Sequence, residues 1–183
     1  MRKILFFLWI PTFAMAQIET QSYEVIQNIG EVEIRLYPKV MMAKTKDNTQ
    51  GSSFRKLFDF ISGNNTNQQK IAMTSPVHME RAKEKSMAFV LPKRMNSANT
   101  PQPLDASLEV IEDPGGYFAA LRYSGYTDSK KEKFQTLALT RVLEKEKIKS
   151  NGKPKVLVYD SPYKFFRRRN EILIPIPFQT PRK

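Results

Sequence analysis

The sequence has no cysteine among its 183 residues, which excludes disulfide bonds, thiolate metal sites and cysteine nucleophiles. Histidine occurs once, as His78, and tryptophan once, as Trp9. A catalytic triad would therefore have one possible base, with no nucleophile motif, phosphate-binding loop or metal-ligand spacing beside it. These absences predict a non-enzymatic protein.

Acidic residues are also scarce, since 18 aspartates and glutamates face 30 lysines and arginines and the net charge is +12. Such a surface attracts anions, including nucleic acid, acidic lipids and carboxylated small molecules. The sequence shows no recognition helix and no RNA-binding motif, so we expect no specific nucleic-acid partner. Binding to an anionic polymer through charge alone stays open as an alternative.

No hydrophobic run is long enough to span a bilayer, which takes about 20 residues. The apolar run at residues 4–10 follows Arg2 and Lys3 and precedes Ala14-Met15-Ala16, the order found in a secretory signal peptide. We predict a signal peptide at residues 1–16, one domain at residues 17–183, and export to the bacterial periplasm or beyond. Removing Arg2 and Lys3 lowers the net charge by two, to +10.

Two halves of the remaining chain share one pattern of strand, helix, strand, strand, at residues roughly 23–92 and 107–177. Residues 92–106 hold three prolines and join the halves. We therefore predict an α+β fold with a pseudo-twofold duplicated β-α-β-β unit. Eight antiparallel strands would form a distorted barrel with two helices packed outside it.

The first predicted helix starts at Ser52 or Ser53 and stops at Gly63. It places four apolar side chains on one face: Phe54, Leu57, Phe58 and Ile61.

The second helix opens with the capping-box spacing of Ser129 and Glu132 and is predicted to end near Asn151-Gly152. Its predicted apolar face consists of Phe134, Leu137, Ala138 and Val142.

Residues 159–171 combine four aromatic side chains with one lysine and three arginines. Aromatic surface beside clustered guanidinium groups suits a planar apolar ligand that carries carboxylates, or an anionic polymer. The apolar strand Ile172-Leu173-Ile174 follows directly.

Four segments of the chain, in this order, resemble the SOUL/haem-binding protein family. They are Tyr23 with Glu33-Ile34-Arg35-Leu36-Tyr37; Phe60-Ile61-Ser62-Gly63-Asn64-Asn65; Lys70-Ile71-Ala72-Met73-Thr74-Ser75-Pro76-Val77; and Tyr159-Asp160 with Pro162, Lys164 and Arg168-Arg169-Asn170-Glu171. The resemblance extends over about 150 residues, and it implies the same eight-stranded barrel with two helices.

The resemblance also implies that haem or a related tetrapyrrole binds in an apolar surface groove with a basic rim. Carried over to this sequence, the groove would use Phe54, Leu57, Phe58 and Ile61 of the first helix. Tyr163, Lys164 and Phe165 would lie on the opposing loop, with Lys164 near the ligand's carboxylates.

Other interpretations of these residues remain open at the level of sequence. A Phe/Leu/Phe/Ile stripe also suits a helix that only covers a core. His78 is a candidate iron ligand, because histidine commonly binds haem iron, with Met73, Met79 and Tyr163 as further candidates. The same scaffold could instead serve as a protein-interaction module or bind another small ligand, with no role for haem.

Overall fold

The structure, a computed structural model, describes residues 18–45, 50–80 and 85–177. The predicted signal peptide lies outside these ranges and stays a prediction. Within them the elements are β1 (Glu19–Thr20), β2 (Glu24–Ile29), β3 (Val32–Tyr37), β4 (Val40–Thr45), α1 (Gln50–Ile61), β5 (Thr74–Ser75), β6 (Val77–Glu80), β7 (Ser86–Val90), β8 (Leu108–Asp113), β9 (Gly116–Tyr123), α2 (Ser129–Lys145), β10 (Lys155–Val158) and β11 (Asn170–Pro175).

One curled antiparallel sheet of nine strands forms the frame of the molecule, in the order β2-β3-β9-β11-β10-β6-β7-β4-β8. The predicted α+β class is confirmed. The sheet has nine strands rather than eight because β2 pairs with the outer edge of β3. Among the described residues β2 and β8 end the sheet without pairing to each other, so the barrel is open rather than closed.

The duplicated unit is visible in the strand order once β2 is set aside. The remaining order reads the same from both ends if β3 matches β8, β9 matches β4, β11 matches β7 and β10 matches β6. The pseudo-twofold axis therefore passes between β6 and β10, which pair antiparallel from Val77↔Val158 to Val156↔Met79. Each half also lends one strand to the other, since β3 pairs with β9 and β8 pairs with β4.

The main core lies between the two helices and one face of the sheet. Leu57, Phe60 and Ile61 of α1 are at most 4 % exposed and pack there. Leu139 and Leu143 of α2 fill the same layer. The alternating pattern of β3 sends Val32 and Ile34 into this core, as period 2 predicts.

The length predicted for α2 is wrong, and its predicted apolar face is right only for Ala138 and Val142, which pack against the core. Phe134 is 67 % exposed and Leu137 is 49 % exposed, while Leu139 and Leu143 face the sheet. Tertiary packing selects the Leu139 face because it is continuous with the sheet's apolar surface. The helix ends at Lys145, before Asn151-Gly152, and the positive φ of 57° at Lys147 turns the chain away.

The first helix begins at Gln50, so Ser52 and Ser53 lie inside it rather than capping it. The helix ends at Ile61, two residues before Gly63, where the sequence predicted its stop. Asn65 secures that end: its side chain donates to the Phe60 and Gln69 carbonyls at 2.9 and 2.7 Å. The Asn65 Oδ1 atom also accepts a hydrogen bond from the Gln69 N–H at 3.0 Å.

Candidate functional site

An apolar groove of about 340 Å³ opens between α1, strands β6 and β7, and the loop that follows β10. Its volume lies at the lower end of the range of small-molecule sites in proteins. We call it the α1 groove. Its lining consists of Ile18, Phe54, Phe58, Met73, Thr74, Ser75, Val77, Met79, Met87, Val158, Tyr159, Asp160, Ser161, Pro162 and Arg168.

Two phenylalanines of α1 form the aromatic wall of the α1 groove. Phe54 and Phe58 are 42 % and 49 % exposed, and their rings lie nearly parallel, 6.2 Å apart between centroids and 13° between planes. Phe54 also meets Phe89 edge-on at 5.3 Å, which fixes its position against β7. Large aromatic side chains left half exposed on a well-packed helix provide flat surface for a planar partner.

The helical stripe predicted from the sequence divides into two roles. Phe54 and Phe58 line the α1 groove, whereas Leu57 and Ile61 are 0 % and 4 % exposed and belong to the core. The two pairs lie about 60° apart around the helix, because each residue advances about 100°. One side of the stripe therefore meets the sheet and the other faces solvent.

The loop after β10 forms the opposite wall and is held by two charged side chains. Asp160 accepts a hydrogen bond from Lys164 Nζ at 2.6 Å and from the Arg169 N–H at 2.5 Å. Burial would raise the pKa of Asp160, but these hydrogen bonds and the nearby positive charges outweigh it and hold that pKa below its ordinary value. Arg168 donates to the Ser161 and Lys164 carbonyls at 2.6 and 2.8 Å and stacks over Tyr126.

Tyr163, Lys164 and Phe165, the predicted loop residues, follow the part of the loop that lines the α1 groove. Tyr163 and Phe165 are 84 % and 72 % exposed and are absent from the lining, and Lys164 is paired with Asp160. The lining instead takes Tyr159 to Pro162 and Arg168. The sequence carried no signal for this shift along the loop, because it depends on the hydrogen bonds of Arg168 with carbonyl groups.

Six lining residues that the sequence prediction of the groove omitted come from residues 73–87: Met73, Thr74, Ser75, Val77, Met79 and Met87. Val77 and Met79 alternate along β6 and so face the same side as Met73 and Met87. The period-2 pattern could have grouped Val77 with Met79. Neither pattern nor spacing could have placed them beside α1.

His78 lies on the opposite face of β6 from Val77 and Met79 and does not line the α1 groove. It is 7 % exposed, and its Nε2 atom is 2.8 Å from the side-chain oxygen of Gln21. Burial, with a smaller contribution from the charge of Lys155, lowers its pKa from 6.5 to about 3. His78 is therefore neutral at physiological pH and serves as a buried packing residue.

A buried charge cluster stands behind the groove loop and centres on Glu171, whose exposure is 0 %. The carboxylate accepts hydrogen bonds from Arg35 at 2.7 and 3.2 Å, from Arg169 at 2.9 and 2.8 Å, and from the Tyr159 hydroxyl at 2.8 Å. Arg35 and Arg169 also lie over the rings of Tyr23 and Tyr159 at 4.0 and 3.9 Å. We call these residues the Glu171 cluster.

The Glu171 cluster joins β3 to β11 across the intervening β9 and ties both to the groove loop through Tyr159. Burial alone would raise the pKa of Glu171, but Arg35 and Arg169 outweigh it and keep the carboxylate ionised. The run Arg168-Arg169-Asn170-Glu171 therefore anchors the last strand and its loop.

Two absences among the described residues bear on the chemistry of the site. Across residues 18–45, 50–80 and 85–177, no group of three or more histidine or carboxylate side chains is placed to hold a metal ion. In the same ranges, neither helix is long and apolar enough to cross a membrane.

Comparison with known proteins identifies the family of the chain and a curated relative. A family model described as SOUL heme-binding protein matches residues 18–175. Human heme-binding protein 2 is 25 % identical over 179 residues, which covers 87 % of this chain and 86 % of that protein.

Solved structures share the fold at low sequence identity. A hydrolase from Listeria innocua superposes with a TM-score of 0.58 at 9 % identity, covering 80 % of this chain and 92 % of that one. The C-terminal domain of EcmrR gives 0.54 at 14 %, covering 85 % and 98 %. At such identities the likeness concerns the fold alone, because one fold carries many functions.

Proposed function

Because the chain belongs to the SOUL heme-binding protein family, we propose that it binds haem or a related tetrapyrrole in the α1 groove, without catalysing a reaction. The observation that carries the proposal is the pair of nearly parallel, half-exposed rings of Phe54 and Phe58 in a mostly apolar lining. Human heme-binding protein 2, the relative that covers most of the chain, carries haem binding in its name.

The lining suits the apolar ring of a tetrapyrrole better than it suits the negatively charged carboxylates of such a ligand. Nine of the fifteen lining residues are apolar or aromatic without a polar group. Burying a large apolar plate against them is favourable by about 25 cal/mol for each Å² removed from water. The stacked phenylalanines would hold the plate by its face, which gives orientation as well as affinity.

The carboxylates of the ligand would face Lys164, which follows the lining residues of the loop. Its Nζ atom is 2.6 Å from Asp160, so binding a carboxylate would replace or share that ion pair. Arg168 is committed to three carbonyl oxygens, which makes it a scaffold of the loop rather than a partner for carboxylates.

The groove offers thioethers rather than imidazole to the metal of a bound haem. Met73 and Met79 belong to the lining, whereas His78 faces the other side of the sheet and bonds Gln21. When bound, haem would supply a redox-active iron, and Met73 or Met79 would offer it a thioether sulfur. Ring stacking is the main source of affinity in this proposal.

We further propose that the protein acts outside the cytoplasm, after cleavage behind Ala16. The support is the order of Arg2-Lys3, the apolar run at residues 4–10 and Ala14-Met15-Ala16. A mass spectrum of the protein recovered from the cell envelope should then begin at Gln17. An intact N-terminus on protein recovered from the cytoplasm would contradict this proposal.

Titration of the purified protein with hemin, followed at the Soret band, tests the groove. We expect a saturable shift, and an affinity roughly tenfold lower in the Phe54→Ala/Phe58→Ala double variant, a loss of about 1.4 kcal/mol. Phe134→Ala is the matched control, because Phe134 is an exposed phenylalanine on the other helix. It should bind within about twofold of the unsubstituted protein.

The carboxylate contact is tested separately with Lys164→Gln, and Lys133→Gln on α2 serves as the exposed-lysine control. Only the first should weaken hemin binding. Absence of a saturable shift in the unsubstituted protein would remove haem as the ligand and favour a small-ligand or protein-interaction role. Equal affinities of the double variant and its control for hemin would show that hemin binds outside the α1 groove.

A further inference from the structure

The loop beyond the groove presents three aromatic rings to solvent within four residues. Tyr163, Phe165 and Phe166 are 84 %, 72 % and 84 % exposed, more than any other large apolar side chain in the described ranges. Tyr126, itself 51 % exposed, joins them, since its hydroxyl donates to the Pro162 carbonyl at 3.2 Å. We call these four residues the aromatic patch. Exposed apolar surface concentrated in one loop is typical of an interaction surface.

The loop is built to hold these rings outward. Arg168 points inward, is 5 % exposed, and uses its guanidinium on carbonyl groups of residues 160, 161 and 164. Asp160 clamps both ends of the turn through Lys164 and the Arg169 N–H. Arg167 has a φ of 48°, in the left-handed region that a non-glycine residue adopts at a cost, and this reverses the chain after Phe166. The rings are therefore displayed on a supported turn.

Positive charge adjoins the aromatic patch along the loop. Lys164, which is paired with Asp160, lies between Tyr163 and Phe165, and the exposed Arg167 follows Phe166. The chain as a whole carries a net charge of +12. Aromatic rings interleaved with lysine and arginine match the boundary of an anionic bilayer, where rings enter the headgroup region and cations meet phosphates.

We propose that the aromatic patch docks the protein on an anionic lipid surface. The charge of the loop and of the whole chain selects acidic lipid over a neutral bilayer, and the rings supply the apolar contact. This inference does not depend on haem binding. It has a consequence for the groove, because residues 160–162 belong both to the groove lining and to the loop that would contact lipid.

The absence of cysteine makes the test specific in position, since one introduced thiol is the only labelling site. Phe166→Cys and Phe134→Cys variants are each labelled with an environment-sensitive fluorophore and mixed with vesicles of phosphatidylcholine alone or with phosphatidylglycerol. We expect a blue shift, and quenching by nitroxide-bearing lipid, for the label at position 166 on the anionic vesicles. The label at position 134 should respond little, although Phe134 is also exposed.

A flotation assay with the same vesicles measures affinity. Phe165→Ala/Phe166→Ala should weaken binding roughly tenfold and Arg167→Gln by a smaller factor, while Phe134→Ala should stay within about twofold. Residues 1–16, where present, are common to all variants, so these differences belong to the loop.

Several results would overturn the proposal. They are equal responses of the two labels, binding that ignores phosphatidylglycerol, and alanine variants that float like the unsubstituted protein. If the double alanine variant still binds the vesicles and added salt abolishes that binding, the association is due to surface charge alone. Self-association lost in the double variant, without vesicle binding, would assign the patch to a second copy of the chain.

Discussion

At the scale of single residues, His78 shows how position in a strand decides what a side chain can do. The sequence offered it as a candidate iron ligand because it is the only histidine. In the structure it is buried, neutral and hydrogen-bonded to Gln21, with a pKa lowered to about 3. Its neighbours Val77 and Met79 face the groove instead.

The lowered pKa of His78 predicts an acid-sensitive stability. Between pH 6.5 and about 3 the unfolded chain binds one proton at this residue and the native protein does not, so stability falls as pH falls. The free energy of unfolding should drop by about 1.4 kcal/mol from pH 7.5 to pH 5.5, measured by urea denaturation.

A His78→Gln variant provides the control for this pH dependence, because glutamine does not titrate. Its free energy of unfolding should be nearly constant over the same interval, whatever its absolute value. A loss of equal size in the variant would assign the acid sensitivity to other groups.

At the scale of elements, the end of α1 depends on one buried amide. Asn65 is 1 % exposed, donates to the carbonyls of Phe60 and Gln69, and accepts from two backbone N–H groups. These bonds fix the helix end whose preceding turns carry Phe58 and Ile61. The groove wall and the core packing therefore share this support.

Replacement of Asn65 by alanine should destabilise the protein by about 2–3 kcal/mol, because it leaves several buried backbone groups without partners. Urea denaturation of Asn65→Ala and of Asn64→Ala makes the measurement. Asn64 is exposed, and its replacement should cost less than about 0.5 kcal/mol. Similar losses for both variants would contradict this role of Asn65.

Sequence patterns predicted where the helices and strands lie better than they predicted which face of each is buried. The end of α1 near Gly63 was readable because it depends on a few neighbouring residues. The buried face of α2 was readable only for Ala138 and Val142, since Phe134 and Leu137 are as apolar as Leu139 and only the sheet decides between them.

The candidate site was predictable in part. Phe54 and Phe58 line the α1 groove together, as the stripe suggested, but their neighbours Leu57 and Ile61 were taken by the core. Charged partners such as Arg35 and Glu171 are 136 residues apart in sequence, and no local pattern joins them.

At the scale of the whole molecule, the two halves are interlocked rather than placed side by side. β3 of the first half pairs with β9 of the second, and β8 of the second pairs with β4 of the first. The pairing of β6 with β10 joins the two halves at the pseudo-twofold axis. Each half therefore leaves strand edges unpaired when it is alone.

We expect that neither half folds by itself when the chain is divided within residues 92–106. The separate pieces should show no cooperative unfolding transition by circular dichroism, because an unpaired strand edge and an exposed core face are both unfavourable. A mixture of the two pieces should recover a cooperative unfolding transition. Cooperative unfolding of either piece alone would show that the exchanged strands are dispensable.

The hydrogen bond between Tyr159 and Glu171 has a consequence for coordination chemistry. Tyr159 lines the groove, yet its hydroxyl proton is donated to Glu171 at 2.8 Å, and burial together with the charge of Glu171 raises the pKa of that hydroxyl. Ferric iron binds tyrosine as the phenolate, so in the proposed haem complex Tyr159 would meet the ligand through its ring rather than through its oxygen. In the proposed complex, ring stacking would hold an iron porphyrin and its metal-free form alike, and a preference for the iron form would have to come from Met73 and Met79.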